Sequence, residues 1–180
     1  DTGVAYSSNN VETIIAFLAV NSLGGIWSSC SPDFGSESVI ERFGQIKPRV
    51  FFANSSYQYN GKSFDILQKV EEIQNGIGSD LNTILFESKQ WSNIISQEAK
   101  HLLEFTEVEF NDPIWVLYSS GTTGKPKAIV HRTGGMVLEH LKALALHQNV
   151  KKGERYCWYS TTGWMMWNYA LSSLLTGATL

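Results

Sequence analysis

Apolar and polar positions follow two rhythms along this chain. Val4 to Ser7 is a short run that reads as a strand, and Asn9 or Asn10 can cap the helix after it. That helix is expected from about Val11 to Ser22, with Ile14, Ile15, Leu18 and Val20 mostly inward and Gly24 stopping it. Gly25 to Ser28 reads as the next strand. A serine-rich turn through Pro32 leads to a helix capped by Ser36, where Val39, Ile40, Phe43 and Ile46 recur at helical spacing. Lys47-Pro48 ends it, and Val50 to Ala53 is a strand. Strand, helix, strand, helix, strand at this spacing predicts an α/β fold, a largely parallel sheet with crossover helices.

Farther on, Tyr57 to Lys62 reads as a loop. Ser63 is expected to cap a helix carrying Ile66, Leu67, Val70 and Ile73 on one face, closed by Asn75-Gly76. Asn82 to Phe86 is another strand. From Glu87 to Asn111 the pattern is mixed, with Trp91, Ile94 and Ile95 its dense apolar patch, and it reads as a connecting excursion. Two β-like runs, Ile114 to Leu117 and Ala128 to Val130, flank a polar loop. Gly134-Gly135 opens a helix to about His147, with Val137, Leu141, Leu144 and Ala145 inward. Tyr156 to Ser160 reads as a strand, and Met165 to Leu175 as a helix or part of one.

The polar loop is Tyr118-Ser119-Ser120-Gly121-Thr122-Thr123-Gly124-Lys125-Pro126-Lys127. Its two glycines permit positive φ and close approach of backbone to a ligand. Its hydroxyls add donors, successive backbone N–H groups in such a turn suit an anion, and Lys127 adds a mobile positive charge. A polyphosphate uses all of these together. The loop is not a Walker A motif, because Pro126 stands where that motif needs glycine and no Ser or Thr follows Lys127. An ordinary surface hairpin rich in Ser, Thr and Gly is the plainer alternative.

Composition changes the picture in two ways. Charged residues make up only 17% of the 180, against a usual share of about 25%, which points to much of the chain being interior to something larger. The chain also opens without Met and stops just after Gly177, so it reads as a piece of a longer protein. A net charge of −3 leaves no basic footprint for nucleic acid. Cys30 and Cys157 fit no CxxC pattern and read as free buried thiols in a reducing compartment. The uncharged runs Thr13 to Pro32 and Tyr156 to Leu180 are broken by Gly, Asn, Ser and Thr, so both read as buried core and not as membrane spans. His140 and His147 share a helix, but their spacing makes no metal site.

The loop resembles the phosphate-binding loop of the adenylate-forming enzymes: acyl-CoA synthetases, luciferases and peptide adenylation domains. Thr161-Thr162-Gly163-Trp164-Met165-Met166-Trp167-Asn168 is similar to the acyl-pocket region of acetoacetyl-CoA synthetases, and Gly24-Gly25-Ile26-Trp27-Ser28-Ser29-Cys30-Ser31-Pro32-Asp33-Phe34-Gly35 to the same subfamily. The resemblance runs over essentially the whole chain, and makes residues 1–180 part of a large N-terminal AMP-binding domain. It places Ser119, Ser120, Gly121, Thr122, Thr123, Gly124 and Lys127 around the β- and γ-phosphates of ATP, with Lys125 solvated at the tip. It lines the acyl pocket with Gly163, Trp164, Met165 and Met166. Plain core is the alternative for these four, against which Gly163 can open the backbone to a small ligand. Either Asn168 or Thr162 can meet a 3-keto oxygen. Lys62 falls where acetyl-CoA synthetases carry a basic stretch near the CoA nucleotide, although Tyr59 and Asn60 replace its arginines. His131 is expected to be structural, beneath the loop.

The resemblance implies ATP-dependent ligation of acetoacetate to coenzyme A through an acyl adenylate, in the cytosol, with ATP and CoA as co-substrates. Positioning and charge stabilisation carry such chemistry, so no catalytic nucleophile is expected in this chain, and Ser119 and Ser120 lack the surroundings of a nucleophile elbow. The family's Tyr-Gly-x-Thr-Glu segment, whose Glu helps hold Mg²⁺, its ribose-binding Thr-Gly-Asp and its mobile C-terminal domain are not in these residues. The 180 residues alone are therefore expected to be inactive. The rival readings are a ligase for acetate or propionate and a non-catalytic nucleotide-binding module. Oligomeric state is not legible in the sequence.

Overall fold

The computed structural model describes residues 1–78, 80–97, 103–119 and 124–180. Its main sheet is built on β1 (Thr2–Tyr6), whose Val4, Ala5 and Tyr6 are fully buried. β2 (Ile26–Cys30) pairs parallel to one side of it and β3 (Val50–Ala53) parallel to the other. The antiparallel hairpin β4 (Ser56–Tyr59) and β5 (Lys62–Asp65) stands apart as a second small sheet. β6 (Asn82–Leu85) extends the main sheet beside β3, and β7 (Pro113–Ser119) beside β2. β8 (Lys127–Arg132) folds back antiparallel on β7, giving the order β6-β3-β1-β2-β7-β8. The expected α/β fold with a largely parallel sheet is what the chain adopts.

Period-2 alternation divides the strands between two cores. Ala5, Trp27, Phe52, Ile84 and Trp115 point to one face, where α1 (Val11–Ser22), α4 (Lys89–Ser96) and α6 (Met165–Leu171) pack. Val4, Tyr6, Cys30, Phe51 and Ala53 point to the other, against α2 (Ser36–Phe43) and α3 (Leu67–Ile77). Between β8 and α6 lie α5 (Thr133–Leu141) and a π-helical turn, Lys142–His147; a 3₁₀ segment, Ser172–Thr176, follows α6. No helix among the described residues is long and apolar enough to cross a membrane.

Several local expectations are corrected. Asn10 caps α1 by accepting from the Thr13 N–H at 2.9 Å, but Ile15 and Leu18 are exposed. The helix is apolar nearly all round, and its orientation is set by Phe17, whose ring meets Trp27, Trp115 and Trp167. Ser36 does not cap α2, since Gly35 holds that position and the Ser36 hydroxyl donates to Glu72 on α3 at 2.6 Å. Residues 57–62 are not a loop: Asn60 and Gly61 at φ 50° and 73° close a hairpin, which draws Ser63 into β5. The next helix therefore starts at Leu67, its N–H accepted by Asp65 at 2.9 Å; Leu67 is exposed. Gly76 stays within α3 because it abuts Ile40, where an added Cβ would lie 2.5 Å from Cδ1. The excursion after Glu87 contains α4, capped by Ser88, with Trp91 packed on Phe86 and Phe52 while Ile94 and Ile95 are exposed. Ala145 is exposed, and Tyr156 to Ser160 is not a strand: Arg155 makes one isolated bridge to Thr179, with no strand pairing beyond it among the described residues. Cys157, on that open run, is exposed, whereas Cys30 is buried as expected.

Candidate functional site

The β7–β8 hairpin presents the glycine-rich loop at the carboxyl end of β7. Ser119 and Lys127 are register partners at its base, so one hydroxyl and one ammonium flank the opening. Gly124 has φ +98°, the left-handed region its lack of Cβ allows. Lys125 is exposed, as is Lys127; Ser120, Gly121, Thr122 and Thr123 lie outside the described residues. Behind the hairpin, Trp115 donates its indole N–H to His131 Nδ1 at 2.7 Å. Burial lowers the His131 pKa and favours the neutral ring that this acceptance needs, so Trp115 holds the His131 ring in place.

The second segment turns at residues 161–164 and enters α6. Thr162 is fully buried; its hydroxyl donates to the Ser7 carbonyl at 2.7 Å, and its own carbonyl accepts from Ser29 Oγ at 2.7 Å. These bonds fix the turn to the ends of β1 and β2. Gly163 lies against residues 31–34, where an added Cβ would be 3.2 Å from Phe34 Cζ and 3.3 Å from Ser31 N. Phe34 and the Ser31 backbone therefore approach this glycine closely. Trp164 is 64% exposed and Met165 48% exposed, so neither is core; Met166 is half-buried. Core packing falls to Trp167, whose indole donates to Asn9 Oδ1 at 2.9 Å.

Asn168 is fully buried, and neither amide atom has a hydrogen-bond partner among the described residues. Buried amides are nearly always paired, so this one retains unused donor and acceptor capacity. It lies one helical turn after Met165 at the start of α6, while Trp164 is the extended residue that precedes the helix. Of the two side chains offered for a keto oxygen, Thr162 is already spent on Ser7 and Asn168 is not.

Phe34 and Arg42 join the two segments. Gly163 packs on the Phe34 ring, the Arg42 guanidinium lies 5.1 Å from that ring, and the same guanidinium lies 5.9 Å from the ring of Tyr118, next to Ser119. Beside the turn, a crevice of ≈ 550 Å³ opens over the ends of β1 and β2. Its walls include Asn9, Ser31, Asp33, Tyr57, Tyr59 and Tyr159. β1 pairs with β3 on one side and β2 on the other, so this is the point where the order of the parallel sheet reverses, the usual place for a ligand. Sequence reasoning missed this crevice; its one signal was the run of Ser and Asn just after each strand. Lys62 is exposed on β5, paired with Tyr59 at the rim of that crevice. Among the described residues no group of three or more His, Cys, Asp or Glu side chains could hold a metal ion.

A family model described as AMP-binding enzyme matches residues 1–180. The acetoacetyl-coenzyme A synthetase of Rhizobium meliloti (strain 1021) is 40% identical over 192 residues, covering 100% of this chain and 30% of that protein. Malonamoyl-CoA synthetase vrtB of Penicillium aethiopicum is 34% identical, covering 100% of this chain and 28% of its own length. The structure of acetoacetyl-CoA synthetase from Streptomyces lividans superposes with a TM-score of 0.90 at 40% identity, over 99% of this chain and 29% of that one. The chain thus spans under a third of the length of these relatives.

Proposed function

The chain belongs to the AMP-binding enzyme family, and from that membership we propose that it forms part of a longer acid–thiol ligase that joins acetoacetate to coenzyme A in the cytosol. In the first step a carboxylate oxygen of acetoacetate bonds to the α-phosphorus of ATP, and the bond from that phosphorus to the bridging oxygen breaks. Pyrophosphate leaves and an acyl adenylate remains. In the second, the sulfur of CoA bonds to the acyl carbon and loses its proton to solvent, while the carbon–oxygen bond to AMP breaks.

Within this reading Ser119, Gly124 and Lys127, with Ser120, Gly121, Thr122 and Thr123, take the β- and γ-phosphates. Lys127 offsets charge on the departing pyrophosphate, the kind of fixed electrostatic help that phosphoryl chemistry uses. Magnesium ion would supply further neutralisation when bound with ATP; its protein ligand belongs to the remainder of the ligase. Trp164 and Met165 form a wall for the small acid, Gly163 lets the turn settle beside them, Met166 backs it, and Asn168 meets the 3-oxo oxygen. Lys62 at the crevice rim is available to the CoA nucleotide.

One observation carries the choice of acid. Two kinds of relative covering the whole chain are named for acetoacetyl and malonamoyl products, and both acids carry a carbonyl on the third carbon. A site built to hydrogen-bond that oxygen rejects acids lacking it. The test is AMP release by the intact polypeptide with ATP, CoA and a panel of acids. Acetoacetate should outrun butyrate, propionate and acetate, and Asn168→Leu should narrow that preference. Equal rates with propionate would favour the broader short-chain ligase. ATP binding without AMP release from any acid would favour a non-catalytic nucleotide-binding module.

A further inference from the structure

Both stems of the glycine-rich loop are tied to one helix end. Tyr118, immediately before Ser119, donates its phenol to the Arg42 carbonyl at 2.7 Å. Pro126, immediately before Lys127, accepts from the Gln45 side-chain amide at 3.0 Å. Arg42 lies in the last turn of α2 and Gln45 two residues beyond it, so the entry and exit of the loop rest on the same short stretch.

That stretch is itself held firmly. Val39 and Phe43 anchor α2 in the core. The Arg42 guanidinium donates to the Ser38 carbonyl at 2.8 Å and lies near the rings of Phe34 and Tyr118. Gln45 also donates to the Glu41 carbonyl at 2.7 Å, which orients its amide. The Arg42 carbonyl also accepts from the Gln45 N–H at 3.2 Å, and its second lone pair takes the phenol from outside. Burial raises the Tyr118 pKa, so the phenol keeps its proton and remains a donor at any working pH.

Neither tie is needed to pair the strands. The register from Trp115↔His131 to Ser119↔Lys127 already joins β7 to β8. β8, however, is the outer strand of the sheet, with β7 as its sole neighbour among the described residues, and its Ile129 and Val130 are exposed. A two-stranded projection at a sheet edge can swing, and a loop that must meet two phosphate groups gains from being held in place beforehand.

We propose that Gln45 and Tyr118 are positioning residues for the nucleotide loop, fixing its two stems over the end of α2 so that Ser119 and Lys127 face the polyphosphate of ATP. This rests on the reading of the loop as a phosphate site. Losing one such hydrogen bond should raise the KM for ATP by about threefold to tenfold, since a typical bond corresponds to about that factor in affinity.

The experiment compares Gln45→Glu, Gln45→Lys and Tyr118→Phe in the intact polypeptide. Gln45→Glu keeps size but turns a carboxylate, without a donor, toward the Pro126 carbonyl; Gln45→Lys keeps a donor of similar reach. The KM values for ATP and acetoacetate, the calorimetric Kd for ATP and the melting temperature are read for each. Gln45→Glu and Tyr118→Phe should raise the KM and Kd for ATP, leave the KM for acetoacetate unchanged and lower the melting temperature by at most about 4 °C, and Gln45→Lys should restore most of the loss. The proposal is overturned by an unchanged Kd for ATP, by parallel losses for both substrates, or by Gln45→Lys behaving like Gln45→Glu. If the unsubstituted protein turns over no acid, the ligase reading fails, and the ATP Kd series still decides the role of the stems. If it binds no ATP either, both readings fall.

Discussion

Replacing Thr162 by valine removes one hydroxyl and keeps nearly the same shape. The change is chosen because that hydroxyl links residues 155 positions apart, from the turn before α6 to the end of β1. Thr162 and Ser7 are both 0% exposed, so water cannot take over when the 2.7 Å bond to the Ser7 carbonyl is lost. An orphaned buried acceptor costs about 1–3 kcal/mol. Burial of the new methyl offsets up to about 0.8 kcal/mol of that. A net loss of about 1–2 kcal/mol corresponds, for a chain of this length, to a melting temperature lower by about 2–8 °C. Urea unfolding followed by tryptophan fluorescence should show a lower midpoint with an unchanged slope. Ser29→Ala removes the other bond to the same residue, and because both pin one turn the double variant should depart from additivity by at least about 0.5 kcal/mol. A Thr162→Val chain melting within about 1 °C of the unsubstituted one would mean the turn is held by something else. In the intact polypeptide the same variant should raise the KM for the acid more than that for ATP, because Trp164 and Met165 leave from this turn.

Three further outcomes follow from the geometry. Asn10→Ala removes the side-chain cap of α1 and should cost about 1 kcal/mol in urea unfolding, whereas Asn9→Ala should leave that cap intact. A thiol reagent should label Cys157 in the folded chain and spare Cys30, whose thiol burial pushes up to about 12; both should react in urea, and fast native labelling of two thiols would contradict the packing. Burial lowers the pKa of His131 and of His140, the latter stacked on Trp115 and bonded to Ser172 at 2.6 Å. The unfolded chain therefore takes up protons first. Stability should be full above the unfolded value near about 6.5 and fall below it, by at most about 1.4 kcal/mol per pH unit for each histidine, until the folded values are passed. A stability profile flat from pH 8 to 5 would refute burial of these rings in neutral form.

Local pattern sufficed for much of this fold. The apolar runs of β1, β3, β6 and β7 declare themselves, the Asn10 cap precedes its helix, and strand–helix alternation is enough for a parallel sheet. Short-range physics decides all of these: hydrophobic periodicity, a side chain reaching a nearby N–H, a glycine after a helix. The glycine-rich loop was legible for the same reason, since its chemistry lies in ten consecutive residues.

Tertiary structure decided what depends on partners far along the chain. The inward face of α1 was undetermined while nearly every position was apolar, until the rings of Trp27, Trp115 and Trp167 received Phe17. Tyr156 to Ser160 has the composition of a strand yet finds no strand to pair with among the described residues, and strand identity belongs to a pair. The crevice at the ends of β1 and β2 takes its walls from four separated segments, and the bond from Gln45 to Pro126 spans 81 positions. Periodicity carries no information about such distances. The sequence determined the elements whose signals are local and the chemistry of the loop, and packing decided the remaining elements and which of them meet.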